Sequence, residues 1–164
     1  MIRSSLIVNT NIDISKYPKL MAFLKRNSDG YQAKKSKVLT RDQMEIFLSA
    51  ANDNEYLMIK IALIFGIAGA CRSDELTNVT VDDIETSNSS LIIKIPKTKT
   101  KIPRVFVVTN IEGKVDFIGL FRKYADLRPS NVSHRRFFIF YKGGKCTSQP
   151  VGKNTFGKIP SIIA

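Results

Sequence analysis

The sequence predicts an α+β fold, mainly α, with helices around a small antiparallel sheet. Three observations carry this. Thr40-Arg41-Asp42-Gln43 has the form of a capping box and opens a run with apolar residues at helical spacing. Residues 55–69 are apolar almost all round, as expected of a helix at the centre of a fold. Two β-branched runs, Leu91-Ile92-Ile93-Lys94-Ile95 and Ile102 to Val108, flank a lysine-rich connection.

Composition narrows the partners. The chain has 164 residues, enough for one domain with a fragment of a second. At 43% hydrophobic residues it can bury a core. Lys and Arg number 26 against 14 acidic residues, a formal charge of +12. That excess favours a polyanion: nucleic acid first, an acidic membrane surface second, with a merely basic soluble protein as the plain alternative. Cys71 and Cys146 make neither a disulfide framework nor a zinc set, so a reducing compartment follows. Met1 to Asn11 has no apolar run of signal-peptide length. The most apolar window, Leu57 to Ala70, carries Lys60 and is too short to cross a bilayer. No metal and no cofactor is expected.

Taken in order, residues 1–36 are weakly patterned. Ile14 to Phe23 suggests a short helix, broken by Lys25-Arg26-Asn27-Ser28-Asp29-Gly30, with Ala33-Lys34-Lys35-Ser36-Lys37 as a basic linker. A helix follows over about 40–51, with Met44, Phe47, Leu48 and Ala51 on one face. Asn52-Asp53-Asn54 ends it and caps the buried helix over 55–69. Gly66 and Gly69 weaken the end of that helix and admit a neighbouring backbone. Val79-Thr80-Val81 reads as a short strand or bend, and Glu85 to Ser90 as a polar turn. The two β-branched runs then form a hairpin with Pro96-Lys97-Thr98-Lys99-Thr100-Lys101 at its tip, Pro103 marking an edge. Gly113 to Leu127 returns to helical spacing, with Phe117, Phe121 and Tyr124 as a stripe. Arg135 to Tyr141 reads as a strand, Lys142 to Lys145 as a turn, and Val151 to Ile159 as a helix. Pro160 fits the start of a further helix. The last residues, Ile162-Ile163-Ala164, look like an element cut short.

Chemistry concentrates at Gly66-Ile67-Ala68-Gly69-Ala70-Cys71-Arg72-Ser73-Asp74-Glu75-Leu76. A rigid apolar helix ends in glycines and delivers one arginine at a helix junction, followed three residues later by glutamate. A guanidinium held there suits a phosphate, because its fork binds two oxygens at once. The bland reading is a helix-start arginine paired with a local carboxylate. The Lys97–Lys101 cluster likewise has a bland reading, a solvated edge that discourages strand pairing. Lys94, Arg104, Lys34, Lys35 and Lys37 are further candidates for phosphate contact.

The order of parts is a capped helix, a buried helix, Arg72-x-x-Glu75-Leu76, then a small sheet with Lys97-Thr98-Lys99-Thr100 at its tip. That order resembles the catalytic domain of the tyrosine recombinases, or phage-type integrases, over residues 37–164. Residues 1–36 would then be a remnant of the core-binding domain plus basic linker. Lys142-Gly143-Gly144-Lys145-Cys146-Thr147-Ser148-Gln149-Pro150 looks like the Crypton transposon type. The resemblance implies duplex DNA as partner and self-assembly on it. It implies that Arg72 holds the scissile phosphate, that Glu75 supports it, and that Lys99 protonates the leaving 5′ oxygen, with Lys97 and Lys101 competing for that role. It implies a nuclear location in a eukaryote, otherwise the cytoplasm or nucleoid, and no secretion.

The sequence also departs from the family. The family carries a His-x-x-Arg box, a further His or Trp, and a late tyrosine nucleophile. The one histidine, His134, is followed at the third position by Phe137. Tyr141 reads as a strand-end aromatic and Tyr124 as core. Without a nucleophile no 3′-phosphotyrosyl intermediate forms, so this truncated domain should not cut DNA alone. Two alternatives stay open: a domesticated, non-catalytic DNA-binding module, and an unrelated basic α+β domain that binds RNA or protein, for which Phe137, Phe138 and Phe140 could offer stacking faces.

Overall fold

The computed structural model describes residues 2–32, 38–99, 101–110 and 115–164. The chain forms two compact units, Met1–Lys37 and Val38–Ala164.

In the first unit, helix α1 spans Ile2–Thr10 and α2 spans Pro18–Ser28, with a 3-10 turn at Ile14–Lys16. Asp13 ties this unit together: it caps the turn at Ser15 and pairs with Arg3 at 2.9 Å. The predicted Ile14–Phe23 helix is thus corrected. Pro18 starts α2, because its fixed φ and missing N–H suit the first turn. The helix then runs through Lys25 and Arg26, which lie in its last turn and favour the dipole there.

In the second unit, α3 spans Arg41–Ala50. Thr40 Oγ1 accepts the Gln43 N–H at 3.2 Å and Gln43 Oε1 accepts the Thr40 N–H at 2.9 Å, the reciprocal capping box read from sequence. Helix α4 spans Asp53–Gly69, with Asn52 accepting the Asn54 N–H at 2.9 Å. Leu57, Ile61 and Phe65 on α4 are fully buried. Each contributes about 1.5–3 kcal/mol relative to exposure. Phe65 stacks on Phe121 and Phe137 and meets Phe138 edge-on, so α4 is the axis of an aromatic core.

A three-stranded antiparallel sheet packs beside α4. Its strands are β1 Ile84–Thr86, β2 Ser90–Ile95 and β3 Arg104–Thr109, in the order β1-β2-β3. Leu91 pairs with Val108, and Ile95 with Arg104. Alternation along β2 buries Leu91, Ile93 and Ile95. The polar stretch read as a turn from Glu85 supplies part of β1, because Glu85 and Thr86 pair with Ile92 and Leu91.

Helix α5 (Ser73–Asn78) follows α4, and α6 spans Phe117–Asp126. Gly113 and Lys114, at the start of the helical spacing read from sequence, lie outside the described residues. A second sheet consists of β4 Ile139–Lys142 and β5 Lys145–Pro150. Gly143 and Gly144, at φ 57° and 78°, make the two-residue turn between them. The strand predicted from Arg135 begins at Ile139; Arg136 makes an isolated bridge with Thr80. No pattern in the sequence marks β5, since its residues are mostly polar and exposed. Helix α7 spans Lys153–Ile163 and contains Pro160 in its interior, where the sequence suggests a new start. Phe156 and Ile159 are buried on one side of it and Ile163 packs beyond the proline, so burial on both sides keeps the helix continuous despite the missing hydrogen bond. Among the described residues, no helix is long and apolar enough to cross a membrane.

Candidate functional site

Four carbonyl groups end α4 without helical partners, and the chain must turn to begin α5. Ala70 makes that turn in the left-handed region, at φ 44° and ψ 42°. Gly69 is required for a different reason from the one expected. A Cβ there would run into the Phe106 ring, so a side chain rather than a backbone comes close; among the described residues nothing crowds Gly66. Arg104, on β3, reaches across to this corner. Its Nη1 donates to Gly69 O at 2.6 Å and its Nη2 to Ala70 O at 3.4 Å. A cation thereby meets the negative end of α4.

Arg72 then adopts extended backbone and caps α5. Glu75 sits at the third position of that helix and is buried. Its Oε2 accepts the Arg72 N–H at 2.8 Å and also a hydrogen bond from Arg104 Nη2. Its Oε1 lies 3.4 Å from Arg72 Nη1. Burial pushes the Glu75 carboxyl up, but the Arg72 N–H and the charges of Arg104 and Arg72 outweigh it and hold the group below its ordinary range. Glu75 is therefore an ionised anchor between two arginines. Arg72 keeps 57% of its side chain exposed, so its guanidinium is oriented at one end and open to a ligand. Beside it, burial pushes the Cys71 thiol up to about 11, which makes it a poor nucleophile.

The hairpin tip follows β2. Thr98 O accepts the Lys101 N–H at 3.0 Å, and Thr98 Oγ1 donates to Ile102 O at 2.8 Å. Lys101 sits at φ 61°. Lys97, Lys99 and Lys101 are exposed, and no described residue forms an ion pair with any of them. Lys94 is paired with Glu85 on the neighbouring strand. Lys34, Lys35, Lys37 and Thr100 lie outside the described residues.

The structure brings Glu75 and Lys97 to one cleft of about 540 Å³, whose walls include Thr80, Asp83, Ile95 and Arg136. Arg104 enters as a strut under Glu75 rather than as a free phosphate contact. The sequence signals Arg104 only as a basic residue beside the hairpin; its reach to Glu75 depends on the register of β3. Arg136 has no such signal, since the adjacent Arg135-Arg136 pair looks like a solvated strand end.

The other singled-out residues are structural. Tyr124 OH donates to Ile139 O at 2.8 Å, and Tyr141 OH to Asp53 O at 2.8 Å. His134 Nε2 bonds Ser148 O at 3.0 Å while Nδ1 accepts the Arg136 N–H at 3.2 Å, so the ring ties the loop to β5. Phe137 and Phe138 are buried. Among the described residues, no group of three or more His, Cys, Asp or Glu side chains could hold a metal ion.

Helices around a small three-stranded antiparallel sheet make a tyrosine-recombinase catalytic-domain-like fold. Solved structures bear this out. The chain is similar to the XerA recombinase, with a TM-score of 0.56 and 14% identity over 99% of this chain and 57% of that one. It is also similar to the XerH site-specific recombinase bound to its difH substrate in a pre-cleavage complex, with a TM-score of 0.50 and 16% identity over 88% of this chain and 46% of that one. The chain thus spans about half the length of these structures, and at such identities the likeness is one of fold. No protein-family profile matches the sequence, and no curated protein matches it.

Proposed function

We propose that the chain is a DNA-binding, tyrosine-recombinase-like protein in which Arg72 grips a backbone phosphate. The observation that carries this is the Arg72–Glu75 unit. The carboxylate is buried and ionised, and it turns an exposed guanidinium outward at a rigid corner. Lys97, Lys99 and Lys101 would hold neighbouring phosphates, and Lys99 would stand for the family's proton donor. The XerH neighbour was solved on its DNA substrate, which supports duplex DNA as the partner here. Residues 1–36 are proposed as the end of a core-binding domain and its linker. Self-assembly on DNA, a Crypton-type transposon origin and action in the nucleus belong to the same proposal.

A second reading, a non-catalytic DNA-binding module, is favoured by one observation. Tyr124 and Tyr141 both spend their hydroxyls on backbone groups, so neither is offered to a phosphorus atom. An RNA-stacking role for Phe137 and Phe138 is disfavoured by their burial. On either DNA reading, this polypeptide forms no covalent adduct with a nicked suicide duplex.

The test is duplex binding followed by fluorescence anisotropy across a salt series. Neutralising Lys97, Lys99 and Lys101 together should reduce the log–log salt slope by about 2–3, close to one for each phosphate no longer neutralised. Arg72→Ala should weaken binding without loss of fold. Binding that is unmeasurable at low salt, or indifferent to the triple change, overturns the proposal.

A further inference from the structure

We infer that Arg136 and Lys97 form a second phosphodiester-binding position, in the cleft beside Glu75, distinct from the Arg72 corner. This rests on the DNA reading above and names a site within it.

The cleft of about 540 Å³ holds four ionisable side chains: Glu75, Asp83, Lys97 and Arg136. Its two carboxylates are already committed. Glu75 is held by Arg72 and Arg104. Asp83 Oδ2 accepts both the Thr80 N–H at 2.8 Å and the Thr80 hydroxyl at 2.7 Å. The two cations are uncommitted: neither Lys97 nor the Arg136 guanidinium has a side-chain partner among the described residues. With Glu75 paired to two arginines and Asp83 held on Thr80, Lys97 and Arg136 are the charged groups of the cleft left to meet an anion.

Arg136 is also held in place by its backbone rather than by its side chain. It bridges Thr80, and the bonds on either side, Val81 N–H to Arg135 O at 2.9 Å and Phe137 N–H to Val79 O at 2.8 Å, fix the strand-like segment. Arg128 Nη1 donates to Arg136 O at 2.7 Å. The guanidinium therefore starts from a fixed Cα and loses little freedom beyond its own rotamers on binding. The neighbouring Arg135 is a natural contrast, because it is engaged by Asp82. A phosphodiester suits the site better than a carboxylate ligand: the fork of Arg136 can bind two phosphate oxygens while Lys97 supplies a point charge.

The experiment is a salt series on the full chain with a duplex oligonucleotide, comparing Arg136→Ala, Arg136→Lys, Arg135→Ala and Lys97→Ala. Arg136→Ala should lower the salt slope by about 1, and affinity several-fold, at an unchanged melting temperature. Arg136→Lys should restore the slope but not the whole affinity. Arg135→Ala removes the same formal charge one residue away, and its effect should be clearly smaller. Arg136→Ala combined with Lys97→Ala should be less than additive, as for two groups sharing one phosphate. If Arg136→Ala equals Arg135→Ala, the basic surface acts only through net charge and this inference falls, while the Arg72 proposal stands. If the unmodified chain does not bind duplex at low salt, both fall together.

Discussion

Arg104 joins the end of α4 to the start of α5: one guanidinium donates to Gly69 O at 2.6 Å and to the Glu75 carboxylate. The strand β3, the corner and the glutamate behind Arg72 therefore move as one body. Arg104→Ala leaves a buried carboxylate with part of its charge unanswered, and should cost about 3 kcal/mol in urea denaturation at neutral pH. It should also weaken duplex binding through Arg72. The pH dependence has a definite sign. The Glu75 carboxyl is held below its ordinary 4.5, so its contribution is present above that pH and is lost as pH falls through the lower folded value. In Arg104→Ala this acid-side loss should shrink. An unchanged acid limb would assign the stability to other carboxylates.

How far can this corner be read in advance? Thr40 and Gln43 announce α3, and the apolar run from Leu57, interrupted by Lys60, announces α4, because caps and periodicity are local signals. Arg72-x-x-Glu75 is legible as a pair for the same reason. The partnership of Glu75 with Arg104 spans 29 residues and depends on the register of β3, which no local pattern sets. β5 is illegible because Lys145–Pro150 is a mostly exposed hairpin arm, with no apolar alternation to mark it. Pro160 misleads because tertiary burial of Phe156 and Ile159 overrides its helix-breaking preference.

Ala70 carries backbone strain that glycine would relieve. A left-handed alanine costs about 1–2 kcal/mol, part of which glycine returns through a freer unfolded chain. Ala70→Gly should therefore raise stability by about 0.5–1 kcal/mol, a melting-temperature gain of about 1–4 °C. Gly69→Ala should do the reverse, by about 1–3 kcal/mol, since its Cβ would meet the Phe106 ring. Thermal melts of the two single variants check both signs at adjacent positions.

Asp53 sits between Lys60 at 2.9 Å and Lys123 at 2.7 Å, and Lys60 is buried on α4. Burial raises the Asp53 carboxyl, but its bonds to the two lysines hold it below the ordinary range. Asp53→Asn strands a buried ammonium and should cost about 3 kcal/mol. Lys60→Met puts an apolar chain in an apolar place while Asp53 keeps Lys123, so its cost should stay under about 1.5 kcal/mol. Denaturant midpoints should rank the variants in that order. The opposite ranking would mean that Lys60 reaches water on unburying its tip.

The Tyr124 hydroxyl is used twice: it donates to Ile139 O at 2.8 Å and accepts the Ile139 N–H at 2.9 Å. Ile139 faces Pro150 in a non-hydrogen-bonded pair, flanked by the Val151 N–H to Phe138 O bond at 3.0 Å, so its own N–H and C=O point away from β5 and the side chain from α6 satisfies them. Tyr124→Phe keeps the ring packing against Phe137 and Phe138 but orphans both backbone groups, at a cost of about 2–3 kcal/mol. Tyr141→Phe loses one bond, to Asp53 O, and should cost about 1 kcal/mol. Burial also raises the Tyr124 phenol above its ordinary 10.0. The unfolded chain then ionises first, so this stability is present below that pH and is lost as pH rises toward the folded value. Denaturation at neutral and at alkaline pH separates the two effects. Tyr124→Phe should be much less stable than the unmodified chain at pH 7, and the gap should narrow on the alkaline side. A gap that stays constant would place the alkaline loss on other groups and leave the hydroxyl with a purely hydrogen-bonding role.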